Sequence, residues 1–321
     1  MILRHLGRLV QRCDMGLLRL AERPMLTKDA DPILQPLIAI AGPPRSGTTV
    51  TYQLLTQGLD VWFMNNLHYI LYRTPVLGYR LARLLTRPYV SDYRSVHGFV
   101  AGLNGPAEAN LFWQHWCDLH LEERDPHPKP DRLNRFAREM NTLWKLDGRP
   151  FLAGWLAHGF YISFLLERFP RSIIIRTQRD MLSTAVSVLR ARRRAIRDDR
   201  LRWSLCPRDV EEFGHGSPAE IAAAQVYLVE RAFDEQARQS AHCLLAAPYA
   251  EVCADPQGFV HQVAHFARRR GIDVTEVAQP NIPQAFTASK VQPDTESARP
   301  VLAALEALIA AKGSVSAPLT L

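Results

Sequence analysis

A chain of 321 residues, 47% hydrophobic and carrying a formal charge of +7, holds ample apolar material for a core. That excludes a disordered tail and a small disulfide-stapled module. No Gly/Ser-rich or Pro-rich linker, charge block or internal repeat divides it, so one domain is expected over 31–321, preceded by an arginine-bearing amphipathic segment over 1–30.

In chain order, residues 1–20 lack the long apolar core and small-residue cleavage site of a secretory signal, and suit weak attachment to a membrane surface. No later stretch reaches the roughly 18 uninterrupted apolar residues of a bilayer crossing. Leu37-Ile38-Ala39-Ile40-Ala41, closed by Gly42-Pro43-Pro44, reads as a buried strand ending in a sharp turn, and a helix begins near Ser46. Further strands are expected at 151–153, 172–177 and 243–247, with helices over 106–123, 131–146, 157–169, 180–197, 219–240 and 256–270. Short apolar strands alternating with longer helices imply an α/β, P-loop-like three-layer fold: a central, mostly parallel sheet flanked by helices. Ligands in such folds sit at the carboxyl ends of the strands.

The turn after the first strand, Gly42-Pro43-Pro44-Arg45-Ser46-Gly47-Thr48-Thr49, has the G-x-x-x-x-G spacing of a phosphate loop with Thr48 where a lysine is usual. Two glycines let the backbone approach an oxyanion. The amides of residues 46–49 open a helix, the hydroxyls of Ser46, Thr48 and Thr49 add donors, and Arg45 supplies the cation. The bland reading is a Gly-Pro turn capped by Ser and Thr. Later, Arg179-Asp180-Met181-Leu182-Ser183-Thr184-Ala185-Val186-Ser187 follows a strand and opens a helix. Arg179 at the strand end and Ser187 two turns into the helix can face one point. Arg176 and Thr184 have the same separation and offer an alternative frame.

Pro44-Arg45-Ser46-Gly47-Thr48-Thr49 and Arg179-Asp180…Ser187 together resemble the PAPS-dependent sulfotransferase family, and weaker landmarks resemble bacterial members that modify polysaccharides. The resemblance implies that residues 45–49 hold the 5′-phosphosulfate of 3′-phosphoadenosine 5′-phosphosulfate (PAPS), and that Arg179 and Ser187 clamp its 3′-phosphate. It further implies sulfuryl transfer to an acceptor hydroxyl, expected on a carbohydrate. Three departures stand out: Met181 replaces a proline, Gly154 lies where relatives often place a lysine after the middle strand, and Tyr249-Ala250 stands for the family's Tyr-Glu pair, with Glu251 one place on.

The general base is sought among Glu108, expected in the first turn of a helix begun by Pro106 and kept ionised there, and His68, His97, His115 and His158. Residues 98–105 are expected to be a mobile loop carrying Glu108 to the donor. The segment 62–69 mixes aromatic rings and amides in a way that suits a sugar ring or a core. Arg190, Arg192, Arg193, Arg194 and Arg197 form a cationic helix end suited to an acidic polymer or to solvent. Ser289 and Lys290 are weaker candidates for the donor site. Neither a metal nor a nucleic-acid partner is expected. Five scattered cysteines without a C-x-x-C pair fit a reducing, cytoplasmic compartment. The rivals are a nucleotide kinase or NTPase using the same loop, and a donor-binding pseudoenzyme.

Overall fold

The computed structural model describes residues 16–96, 98–195, 204–213, 215–238 and 240–320. His97, Arg197 and residues 1–15 of the amphipathic segment lie outside them. Five strands form one sheet, β1 (Leu37–Ala41), β2 (Trp62–Phe63), β3 (Phe151–Gly154), β4 (Ser172–Gln178) and β5 (Leu244–Pro248), in the order β2-β3-β1-β4-β5. Every strand pair is parallel, with Ile40 opposite Gly154 on one side and Ala41 opposite Arg176 on the other.

Side-chain alternation along β1 explains why the sheet needs helices on both faces. Leu37, Ala39 and Ala41 join Trp62, Phe112, Trp113, Phe136, Phe151 and Phe233 in one core. Ile38 and Ile40 join Leu54, Leu55, Leu152, Ile175 and Val260 in the other. The helix α2 (Thr48–Gly58) covers this second face beside a later helix, Pro256–Arg269. A further apolar cluster joins the helices Met181–Ala195, Pro218–Ala237 and Arg299–Lys312.

Strand order places β1 and β4 side by side while their following segments depart in opposite directions, to β2 and to β5. Such a switch point opens a crevice at the carboxyl ends of the two strands. Residues 42–47 and residues 179–180 border it.

Two expected helices are corrected, and one strand joins the expected set. Trp62–Phe63 is an edge strand, with Trp62 stacked on Phe151 at 4.2 Å between ring centroids, so this part of the aromatic segment belongs to the core. The helix expected over 106–123 spans only Asn110–Cys117, because Ala109 adopts a left-handed backbone with φ of 54°. The helix expected over 157–169 divides into a 3₁₀ turn, Leu156–Phe160, and a helix, Ile162–Arg168.

Residues 16–30 pack into the body of the protein. The helix α1 (Gly16–Glu22) ends in a fully buried Glu22, which meets Arg135 at 3.0 Å, and the Thr27 amide donates to Thr142 Oγ1 at 2.9 Å. Among the described residues no helix is long and apolar enough to cross a membrane.

Candidate active site

The loop after β1 is held by its own interior. Ser46 is fully buried: its hydroxyl donates to the Pro43 carbonyl at 2.8 Å and lies 2.6 Å from Thr177 Oγ1, at the end of β4. The Ser46 amide also bonds the Pro43 carbonyl. The sequence expectation that Ser46 offers its hydroxyl to a ligand is therefore corrected; Ser46 braces the loop against the neighbouring strand. A β-carbon at Gly42 would stand 1.9 Å from Thr177 Oγ1, so only glycine permits that approach. Gly47, at φ of 101°, turns the chain into α2. The amides of Gly47, Thr48 and Thr49 sit at a helix N-terminus, where no intrahelical carbonyl serves them.

Arg45 also has a left-handed backbone, with φ of 70°, and is exposed. Its Nε donates to Ser187 Oγ at 3.1 Å. Arg179, only 8% exposed, donates from Nη1 to the Arg45 carbonyl at 3.0 Å and from Nη2 to Ser289 Oγ at 3.0 Å. Its guanidinium lies over the Tyr249 ring, 5.0 Å from the centroid. That same ring fills the place beside Gly47, where a β-carbon would approach it to 2.5 Å. The two motifs thus share one crevice. Arg179 acts there first as a bracket between the loop, Ser289 and Tyr249, with its Nε left unpartnered.

In the alternative frame, Arg176 has other partners. Arg176 is held inside by Glu230 and Asp234, which neutralise it, and Thr184 is 1% exposed. Asp180 caps the helix α8 (Met181–Ala195), accepting from the Ser183 amide at 2.7 Å. Lys290 is exposed, next to Ser289 in the crevice wall. Of the cationic helix end, Arg192 is buried and bonded to Gln225, so it is not part of a solvated basic face.

Glu108 does not occupy the first turn of a helix. It sits in the irregular stretch before Asn110, partly buried, with its carboxyl packed against Gly98. A β-carbon on Gly98 would lie 2.5 Å from Glu108 Oε1, and Gly98 has φ of 85°. Burial pushes the carboxyl up to about 8, the opposite of the ionised state expected from a helix dipole. The preceding Ala107 carbonyl faces the Tyr52 hydroxyl at 3.5 Å, which ties this stretch to α2. Residues 98–105 are pinned: the Asn66 side chain donates to the carbonyls of Val100 and Gly102, and Asn104 donates to that of Arg87.

His158 and His68 are core residues. His158 is fully buried against Trp113 and Trp155, its Nδ1 3.0 Å from the Ile40 carbonyl, and burial lowers its pKa to about 4. His68, 1% exposed and stacked on Trp62, is lowered to about 4 for the same reason. His115 is lowered to about 3 by burial and by surrounding arginines. Both His68 Nε2 and His158 Nε2 lack partners, so protonating either ring would bury an unpaired charge.

Sequence reasoning passed over Thr177, Tyr52 and the wedge role of Tyr249. Tyr52 accounts for Gly154: a β-carbon there would lie 2.4 Å from the Tyr52 ring. The only sequence signal was the absence of the expected lysine. Among the described residues no group of three His, Cys, Asp or Glu is placed to hold a metal ion.

The parallel sheet and its strand–loop–helix crevice define an α/β protein of the phosphate-loop type. Residues 36–273, most of the chain, match the Sulfotransferase family. The chain belongs to that family. Among solved structures it is similar to sulfotransferase STF9 from Mycobacterium avium, at 17% identity and a TM-score of 0.48, covering 95% of this chain and 74% of that one. Sulfotransferase STF1 from Mycobacterium tuberculosis has 15% identity and a TM-score of 0.47, with 79% and 75% covered. A search of curated proteins finds no match.

Proposed function

We propose that this protein transfers a sulfuryl group from PAPS to an acceptor hydroxyl. The observation that carries the proposal is the meeting of Arg45, Arg179 and Ser187 in one crevice at the carboxyl ends of β1 and β4. The donor set fits a doubly anionic nucleotide. An exposed guanidinium, a hydroxyl and three helix-start amides are all hydrogen-bond donors, and two glycines hold the backbone where a side chain would collide.

When bound, PAPS supplies an activated sulfuryl group on a phosphate leaving group. The chain's own contributions follow from the geometry. The amides of Gly47, Thr48 and Thr49 with Arg45 face negative charge, including the charge that grows on a departing phosphate oxygen. Ser187 is the remaining donor of the second motif, while Arg179, its Nε buried, braces the loop through the Arg45 carbonyl and Ser289. Glu108 takes the acceptor's proton, because a carboxyl raised to about 8 is a far stronger base than an exposed one.

The kinase reading lacks the lysine that reaches a triphosphate, since Thr48 stands in its place. Cytoplasmic placement belongs to the same proposal and is supported by the free, buried cysteines Cys117, Cys243 and Cys253. Radiolabelled transfer from PAPS to a panel of hydroxyl acceptors, with and without EDTA, tests the activity. Labelled product that falls at least about 100-fold in Glu108→Gln is expected. ATP consumption dependent on magnesium, with no labelled product, would replace this reading by the kinase.

A further inference from the structure

The helix α8 carries Ser187 and follows directly on Arg179 and Asp180. Its first amides have no carbonyl of their own helix to serve them. The Ser183 amide uses the Asp180 side chain, at 2.7 Å. The next two use a distant part of the chain: Met181 donates to the Pro318 carbonyl at 2.9 Å, and Leu182 to the Leu319 carbonyl at 3.1 Å.

A proline at 181, where the family resemblance places one, needs no such partner. Proline suits the first helical position because it lacks an amide hydrogen and holds φ near the helical value. Met181 is 1% exposed, so the amide it brings must be bonded within the protein. Residues 318 and 319 meet that need.

The segment that supplies these carbonyls is itself anchored. The Tyr227 hydroxyl donates to the Gly313 carbonyl at 2.7 Å. The Ser316 amide and hydroxyl donate to the two carboxylate oxygens of Asp234 at 2.7 and 2.6 Å, and Gln178, at the end of β4, reaches Ser316 Oγ at 3.4 Å. Ala317, 3% exposed, lies in the same apolar cluster as Met181, Leu182 and Leu305. A second segment supports the same turn: the Val291 amide donates to Ser183 Oγ at 3.0 Å, two residues beyond the Ser289 that holds Arg179. Residues 289–291 and 316–319 all lie beyond the 36–273 that match the family, so this bracing is outside what that match describes.

We propose that residues 316–319 are a positioning element of the donor site: a backbone clasp that stands in for the missing proline, sets the first turn of α8 and so fixes Ser187 relative to Arg45 and Arg179. The proposal rests on the sulfuryl-transfer reading above, in which Ser187 meets the 3′-phosphate. The clasp acts through α8 and touches no nucleotide itself. Loosening it lets the start of α8 shift, and a displacement of about 1 Å at Ser187 takes a hydrogen bond of 3.1 Å beyond bonding range.

Ala317→Arg places a long charged side chain where Ala317 is buried and so undocks the segment, and Met181→Pro removes the amide that needs it. The full chain, as wild type, Ala317→Arg and the Ala317→Arg, Met181→Pro pair, is titrated calorimetrically with PAP, the desulfated donor product, and with ADP, which lacks the 3′-phosphate. Amide hydrogen exchange at 181 and 182 is followed without nucleotide. Ala317→Arg is expected to speed that exchange at least about tenfold. It is expected to weaken PAP at least about tenfold and ADP by less than about threefold, and adding Met181→Pro to return PAP affinity to within about threefold of wild type. Ser316→Ala, which keeps the segment's backbone, is expected to weaken PAP by about threefold and serves should Ala317→Arg not fold. Exchange unchanged by these substitutions, a loss shared equally by PAP and ADP, or no recovery with proline overturns the proposal. A wild type that binds ADP as tightly as PAP strikes the donor reading instead, and the exchange measurement still shows whether the clasp holds α8.

Discussion

Arg45 Nε donates to Ser187 Oγ across 142 positions of sequence, joining the loop after β1 to the second turn of α8. The left-handed backbone of Arg45 belongs to the same turn that sends this side chain across the crevice. A residue with a β-carbon at such a φ carries strain of order 1–3 kcal/mol, released by glycine. Arg45→Gly is therefore expected to leave thermal stability unchanged or raised by a few degrees while PAP affinity falls at least about tenfold. Denaturation and calorimetry on the same sample separate the two effects.

Glu108 gives the protein a pH dependence of definite sign. Its carboxyl is raised by burial to about 8, so below that pH the base is protonated and kcat/KM is expected to rise about tenfold per pH unit until it levels near pH 8. A raised carboxyl contributes stability that is complete below its unfolded value of about 4.5 and is lost as pH climbs through about 8. Glu108→Gln is neutral at every pH, so its stability relative to wild type is expected to improve between pH 6 and 9. Urea denaturation at both pH values measures this.

Gly154 cannot simply be restored to lysine. The Tyr52 ring occupies the space that a β-carbon would enter at 2.4 Å, and Tyr52, on the buried face of α2, is 3% exposed. Gly154→Lys is expected to cost about 1–3 kcal/mol through overpacking and to lower turnover. A Gly154→Lys, Tyr52→Ala pair should recover part of that loss, as a double-mutant cycle on unfolding midpoints would show.

Arg135 stands between two fully buried carboxylates, Glu22 and Glu139, at 3.0 and 2.9 Å. Burial raises both, and their mutual repulsion helps carry Glu139 to about 9. Both are thereby shifted toward the protonated form, and Arg135 opposes the shift. Arg135→Met is expected to destabilise by about 3 kcal/mol at pH 8 and by less at pH 5, where the two carboxyls carry less charge. Chemical denaturation at the two pH values checks the difference.

Much of the fold was legible because β1, β3, β4 and β5 are short apolar runs next to turn residues, a signal that needs no tertiary context. Strand β2 was not, since two residues carry no period; it is held by a bond from the Trp62 amide to the Pro150 carbonyl and by the stack on Phe151. Pro106 reads locally as a helix start, but the Ala107 amide bonds the distant Met64 carbonyl and the left-handed Ala109 delays the helix to Asn110. The arginine and hydroxyl positions around the crevice were visible as spacing, while burial was not. Spacing alone could not tell inward Ser46 from outward Arg45, neutralised Arg176 from Arg179, or core His68 and His158 from bases within reach of an acceptor.

The central claim is that residues 45, 179 and 187 serve one adenosine bisphosphate. Calorimetric titration of PAP, ATP and ADP into wild type, Arg45→Ala and Ser187→Ala tests it most directly. Preference for PAP in the wild type, reduced at least about tenfold by each substitution, is the predicted result. Tighter binding of ATP than of PAP, or PAP affinity untouched by either substitution, would contradict it.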